Sequence, residues 1–99
     1  DAGIYVLKTN GTWSRILDEN LKFSENSVNN FLFDEDKNVI WISQNNVGIL
    51  KYDILTKKLE IYTNENSNVP SVNIEKITKD KDGAIWAATY AGVIKTNIK

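Results

Sequence analysis

The sequence predicts an all-β fold, and three observations carry that expectation. A glycine followed by a β-prone apolar run recurs at Gly3-Ile4-Tyr5-Val6, Gly48-Ile49-Leu50-Lys51 and Gly92-Val93-Ile94-Lys95, at spacings of 45 and 44 residues. Trp41 and Trp86 stand 45 residues apart, each inside a short apolar run, Val39-Ile40-Trp41-Ile42 and Ala84-Ile85-Trp86-Ala87. Turn-forming clusters such as Asp34-Glu35-Asp36-Lys37-Asn38 and Asp80-Lys81-Asp82-Gly83 cut the chain into strand-length pieces. A repeat in the mid-forties is what four short strands and their turns require, and it is the period of a propeller blade rather than of ankyrin or leucine-rich units. The expected architecture is therefore a β-propeller fragment with about two four-stranded antiparallel blades.

The elements follow in order. Gly3 to Thr9 and Thr12 to Leu17 read as two strands joined at Asn10-Gly11, a dipeptide that favours a type I′ hairpin because both central residues of that turn need positive φ. The polar stretch 18–27 reads as a loop, since Leu21 and Phe23 are its only apolar positions. Strands are then expected at Val28 to Phe33, Val39 to Gln44, Gly48 to Asp53 and Leu59 to Thr63. A second connecting loop, Asn64 to Ser71, carries the lone proline, Pro70, just before the next strand. Ile74 to Lys79, Ala84 to Thr89 and Gly92 to Asn97 complete nine. With the strands of a blade lettered A to D from the inside outward, the chain reads C-D, A-B-C-D, A-B-C. In residues, the single segment 1–99 holds a partial blade (1–17), a full blade (28–63) and a second partial blade (72–99).

Strand A can be aligned between copies in two ways. Ser27-Val28-Asn29 against Ser71-Val72-Asn73 gives the most identities, whereas Val28, Phe31 and Asp34 against Ile74, Ile77 and Asp80 keeps the apolar spacing at the expense of one extra residue before Trp41. Spacing reflects burial, so the second is preferred; a one-residue slip would turn every side chain to the other face.

Blades covered on both sides should have central strands that are apolar on both faces, as the two tryptophan runs are. Leu59-Glu60-Ile61-Tyr62 alternates and should be half exposed. Gly3, Gly48 and Gly92 open strand C, where the chain turns sharply or another backbone comes close. Trp13, Trp41 and Trp86 are all expected in the core.

Composition narrows the function classes. A net charge of −1 with both signs interspersed offers neither a basic face for nucleic acid nor a polybasic membrane anchor. Without cysteine there is no disulfide, thiol nucleophile or thiolate metal site, and without histidine the usual neutral-pH base and zinc ligand are missing. No run approaches the roughly eighteen apolar residues of a membrane-spanning helix. The chain starts at Asp1 and contains no methionine, so a piece of a longer protein is expected.

The pattern Ile74-x-x-Ile77-x-x-Asp80-x-Asp82-Gly83-x-Ile85-Trp86-x-x-Thr89-x-x-Gly92-Val93 resembles the two-component-regulator propeller repeat, with its Asp-x-Asp-Gly turn, Leu-Trp-Ile-Gly-Thr strand and Gly-Leu strand. The middle copy departs from it, with Asn38 or Val39 in place of the turn glycine and Ser43 in place of threonine. The resemblance implies the sensor propeller of bacterial hybrid histidine kinases. Such a module is extracytoplasmic, often carbohydrate-responsive, and has no catalytic residues or cofactor of its own.

Asp80-Lys81-Asp82-Gly83 has the start of a calcium loop, but Ala84, Ile85 and Ala91 fall where ligands should follow, so a turn held by aspartate side chains is the better reading. Asp34, Glu35 and Asp36 read as an exposed acidic turn rather than a hydrolytic pair. Trp41, Trp86, Gly3, Gly48, Gly92, Asp80 and Gly83 are thus structural. Ligand-binding candidates lie on the loops beyond the tryptophan strands: Gln44, Asn45, Asn46 and Tyr90, with parts of 18–27 and 64–71. Amides beside an aromatic ring suit an oligosaccharide. The other expected partners are the remaining blades, or further copies of the chain paired through exposed strand edges. A piece of a propeller glycosidase or lyase, or a pure assembly module, are the alternatives.

Overall fold

The computed structural model describes residues 5–7, 9–15, 28–70 and 73–98. It is all-β, with no helix among these residues. Nine strands, β1 (Tyr5–Leu7), β2 (Trp13–Arg15), β3 (Val28–Asp34), β4 (Val39–Gln44), β5 (Gly48–Asp53), β6 (Leu59–Tyr62), β7 (Lys76–Lys79), β8 (Ile85–Thr89) and β9 (Gly92–Lys95), form antiparallel sheets of two, four and three consecutive strands. Gly3, the 18–27 stretch, and Ser71 and Val72 lie outside the described residues.

The register decides the alignment of the repeat. Leu32 pairs with Trp41 and Thr78 pairs with Trp86, so Asp34 and Asp80 occupy the same place, as the apolar-spacing alignment requires. The extra residue sits in the β3–β4 turn, where Asn38 (φ 55°) stands three residues before Trp41, as Gly83 (φ 86°) does before Trp86. Asn38 rather than Val39 therefore replaces the turn glycine, and asparagine is one of the few side chains that visits the left-handed region readily.

The four- and three-stranded sheets pack face to face. One face of the larger sheet presents Leu32, Val39, Trp41, Ile49 and Tyr62 to Ile77, Ile85 and Ala87 of the smaller, and Val69, Ile74 and Ile98 fill in around them. Polar bonds stitch the same seam. The Ile77 amide donates to Asn30 Oδ1 at 3.0 Å, and Lys79 Nζ sits 3.0 Å from Asp34 Oδ2, a carboxylate only 2% exposed. The other face of the larger sheet gathers Ile40, Ile42 and Leu50 with Tyr52, Leu59 and Ile61. β4 is therefore buried along its whole length, which its continuous apolar run anticipates.

Several expectations fail on local physics. Asp34, read as part of an exposed acidic turn, is buried because Lys79 reaches it across the seam, and Trp86, expected in the core, is only partly buried because no sheet is described against its face. Leu7 pairs with Trp13, so the first connection is longer than a two-residue hairpin. Of its central pair only Gly11 has positive φ, while Asn10 Oδ1 accepts from the Thr12 amide and hydroxyl in an Asx turn. Trp13 is 66% exposed and is not a core residue. β6 does not alternate: all four of its residues are partly buried, because Glu60 and Tyr62 lie on one packed face and Leu59 and Ile61 on the other. Phe31, the counterpart of buried Ile77, is 57% exposed.

Candidate functional site

β4 runs to Gln44 at the end of the sheet opposite the Asp34 turn, and residues 45–47 return the chain to Gly48 in β5. The Val47 amide closes this loop on the Gln44 carbonyl, and Asn46 (φ 63°) supplies the left-handed step. Gly48 (φ 141°) has no room for a side chain, since a Cβ there would lie 2.3 Å from the Tyr62 carbonyl oxygen. That close approach brings the end of β6, and the connection that follows it, against the 45–47 loop.

The connection holds itself in shape with short side chains. Asn66 Oδ1 accepts from the Thr63 amide and its Nδ2 donates to the Ile61 carbonyl, while Ser67 Oγ donates to the Thr63 carbonyl. Beyond Pro70 the chain returns at Asn73, whose Oδ1 accepts from the Asn46 amide at 3.1 Å. The Ile74 carbonyl accepts from Asn29 Nδ2 and from the buried Ser43 Oγ.

Between these segments lies a cavity of about 230 Å³. Amides of Gln44, Asn46, Asn64 and Asn73 form one part of its wall, and Val47, Gly48, Pro70 and Ile74 the rest. Among the described residues no charged side chain lines it. Such a lining exchanges hydrogen bonds with neutral hydroxyl or amide groups and gives a charged ligand no counter-ion.

The sequence-derived candidates divide here. Gln44 and Asn46 line the cavity, and Asn64 and Pro70 come from the 64–71 loop. Asn45 stands beside it, its Oδ1 accepting from Asn29 Nδ2 at 2.6 Å. Tyr90, 91% exposed in the turn between β8 and β9, is not part of the wall. Asn73 and Ile74 were not singled out from the sequence. The signal for Asn73 was the Ser-Val-Asn identity shared by 27–29 and 71–73, because both asparagines bond to the loop end instead of sharing a strand position.

The Asp80 turn lies at the other end of its sheet, and its carboxylate is already engaged. Oδ1 accepts from the amides of Asp82 and Ala84, and Oδ2 accepts from Trp86 Nε1 at 2.8 Å. The indole bond, with the backbone bonds, holds the Asp80 carboxyl below its ordinary range against the effect of desolvation. Among the described residues no three histidine, cysteine or acidic side chains gather in a way that could hold a metal, and no helix is long and apolar enough to cross a membrane. Compared with known proteins, the chain matches no family model and no curated protein. Tyr62, which packs on Trp41 at a centroid distance of 6.5 Å, donates its hydroxyl to Glu60; burial and that carboxylate push its phenol up to about 12.

Proposed function

We propose that this chain is a segment of a non-enzymatic β-propeller that binds a neutral ligand or a protein loop at the loop end of its four-stranded sheet. The observation that carries the reading is the amide-lined cavity, with no charged side chain among its described lining residues, where the 45–47 loop meets the connection after β6. The blade assignment draws support from three meanders grouped two, four and three, with equivalent glycines, tryptophans and turn aspartates. The remaining blades of such a propeller would come from a longer parent chain or from further copies. The resemblance of the 74–93 repeat to two-component regulators makes the parent an extracytoplasmic sensor, with an oligosaccharide as the first ligand class to try.

Chemical-shift mapping of the ¹⁵N-labelled chain against neutral saccharides tests the cavity. Millimolar saccharide should shift the amides of Gln44 to Gly48, Asn64 and Asn73 together, and Asn64→Ala should weaken the response. No shift at these positions, or equal shifts over the whole chain, would overturn the ligand reading.

A further inference from the structure

The loop-end cavity has two unlike sides. Three exposed asparagines from separate segments make the polar side: Asn46 from the turn between β4 and β5, Asn64 from the connection after β6, and Asn73 from the segment before β7. The orientation of Asn73 is fixed. A backbone N–H can only donate, so the Asn73 carboxamide turns Oδ1 to the Asn46 amide at 3.1 Å and keeps Nδ2, a pure donor, for another partner. Among the described residues no hydrogen bond engages that Nδ2 or the side-chain amides of Asn46 and Asn64. The other side, Val47, Pro70 and Ile74, is half-buried or buried. Pro70 has no N–H to give, the Val47 amide is bonded to the Gln44 carbonyl, and the Ile74 carbonyl already accepts from Asn29 and Ser43. That side therefore presents mainly hydrocarbon.

At about 230 Å³ the cavity is smaller than the roughly 300–1,000 Å³ of sites that enclose a drug-sized ligand, so it seats one small group of a larger molecule. We infer that this group is an acetamido group, CH₃–CO–NH, carried by an N-acetylated amino sugar. Its carbonyl oxygen accepts from Asn73 Nδ2, its N–H donates to the side-chain oxygen of Asn46 or Asn64, and its methyl lies on the side of Pro70 and Ile74. A sugar hydroxyl can use the same donor but makes no use of the hydrocarbon side. A carboxylate or an ammonium group meets no opposite charge among the described lining residues. The inference rests on the reading of the cavity as a site for a neutral ligand, and it adds the chemistry of that ligand.

Titrating the ¹⁵N-labelled chain with N-acetylglucosamine and with glucose, as wild type and as Asn73→Asp, decides it. The wild type should bind N-acetylglucosamine about tenfold more tightly than glucose, the gain of one buried methyl and one added hydrogen bond. The amides of Asn46, Asn73 and Ile74 should shift most. Asn73→Asp keeps an oxygen for the Asn46 amide and puts a second acceptor where Nδ2 stood. It should therefore bring N-acetylglucosamine down to the affinity of glucose, while glucose, whose hydroxyls can donate as well as accept, binds as before. Thermal melts check that the variant is folded, and the wild-type comparison of the two sugars stands without it. Equal affinity for the two sugars in the wild type, or a preference that survives Asn73→Asp in a folded variant, would overturn the inference and leave the neutral-ligand reading intact. No response to either sugar would overturn both.

Discussion

Trp41 and Trp86 occupy the same place in two copies of one repeat, yet Trp41 is 2% exposed and Trp86 only partly buried. The difference lies entirely in what stands next to each sheet. The four-stranded sheet has the three-stranded one against its tryptophan face; the three-stranded sheet has nothing described against its own. The polar anchors differ in the same sense. Asp34 relies on Lys79 across the seam, while Asp80 bonds within its own turn and to Trp86. A repeat unit thus carries its strand geometry with it and borrows its burial from a neighbour.

Truncating the two tryptophans should give the widest separation. Trp41→Ala should cost about 4 kcal/mol, within the range for a fully packed aromatic, and Trp86→Ala about 2 kcal/mol. Urea denaturation of both variants measures this, and equal losses would mean that neighbour packing does not set the difference. The strand-opening glycines make a subtler pair. Gly48 and Gly92 have φ of 141° and 132°, so alanine is strained at either, but only at Gly48 does a Cβ strike the neighbouring backbone. Gly48→Ala should cost about 3 kcal/mol and Gly92→Ala about 1 kcal/mol. The contrast arises because β6 pairs beside β5, while no fourth strand is described beside β9.

The smallest effect concerns pH. Desolvation raises the Asp34 carboxyl, but the hydrogen bond and charge of Lys79, with Lys37, outweigh it and hold the group below the ordinary value of 3.8. A carboxyl depressed in the folded state contributes stability above its unfolded value, and that contribution is lost as pH falls through the folded value. Stability should therefore hold level down to the ordinary carboxylate range and drop below it. Asp34→Asn should cost about 2 kcal/mol at neutral pH and flatten part of that acid limb. Asp80→Asn should leave the part due to Asp34 in place, and thermal melts across acidic pH distinguish the two.

Much of the strand plan was legible because it depends on local chemistry. β4 and β5 begin and end where the tryptophan run and the Gly48 run do. The Asp-x-Asp-Gly turn could be read because an aspartate side chain reaches the amides just after it. The apolar spacing of strand A chose the right alignment of Asp34 with Asp80. That same spacing predicted burial for both Phe31 and Ile77, and only Ile77 is buried, since spacing reports which face a residue takes and not whether anything covers it. The candidate site was half legible: Gln44 and Asn46 follow directly from the end of the tryptophan strand. Asn73 and Ile74 are distant in sequence and reach the cavity only because the connection after β6 folds back.

By itself, the sequence determined the all-β class, the period, the order of the strands and the residues that can turn the chain, because these depend on contacts a few residues apart. The tertiary structure alone decided which of two equivalent tryptophans is buried, which glycine is crowded, and which asparagines meet around a cavity. Those outcomes depend on whether a second sheet lies against the first, and a repeated local pattern does not say which copy has a neighbour packed on it.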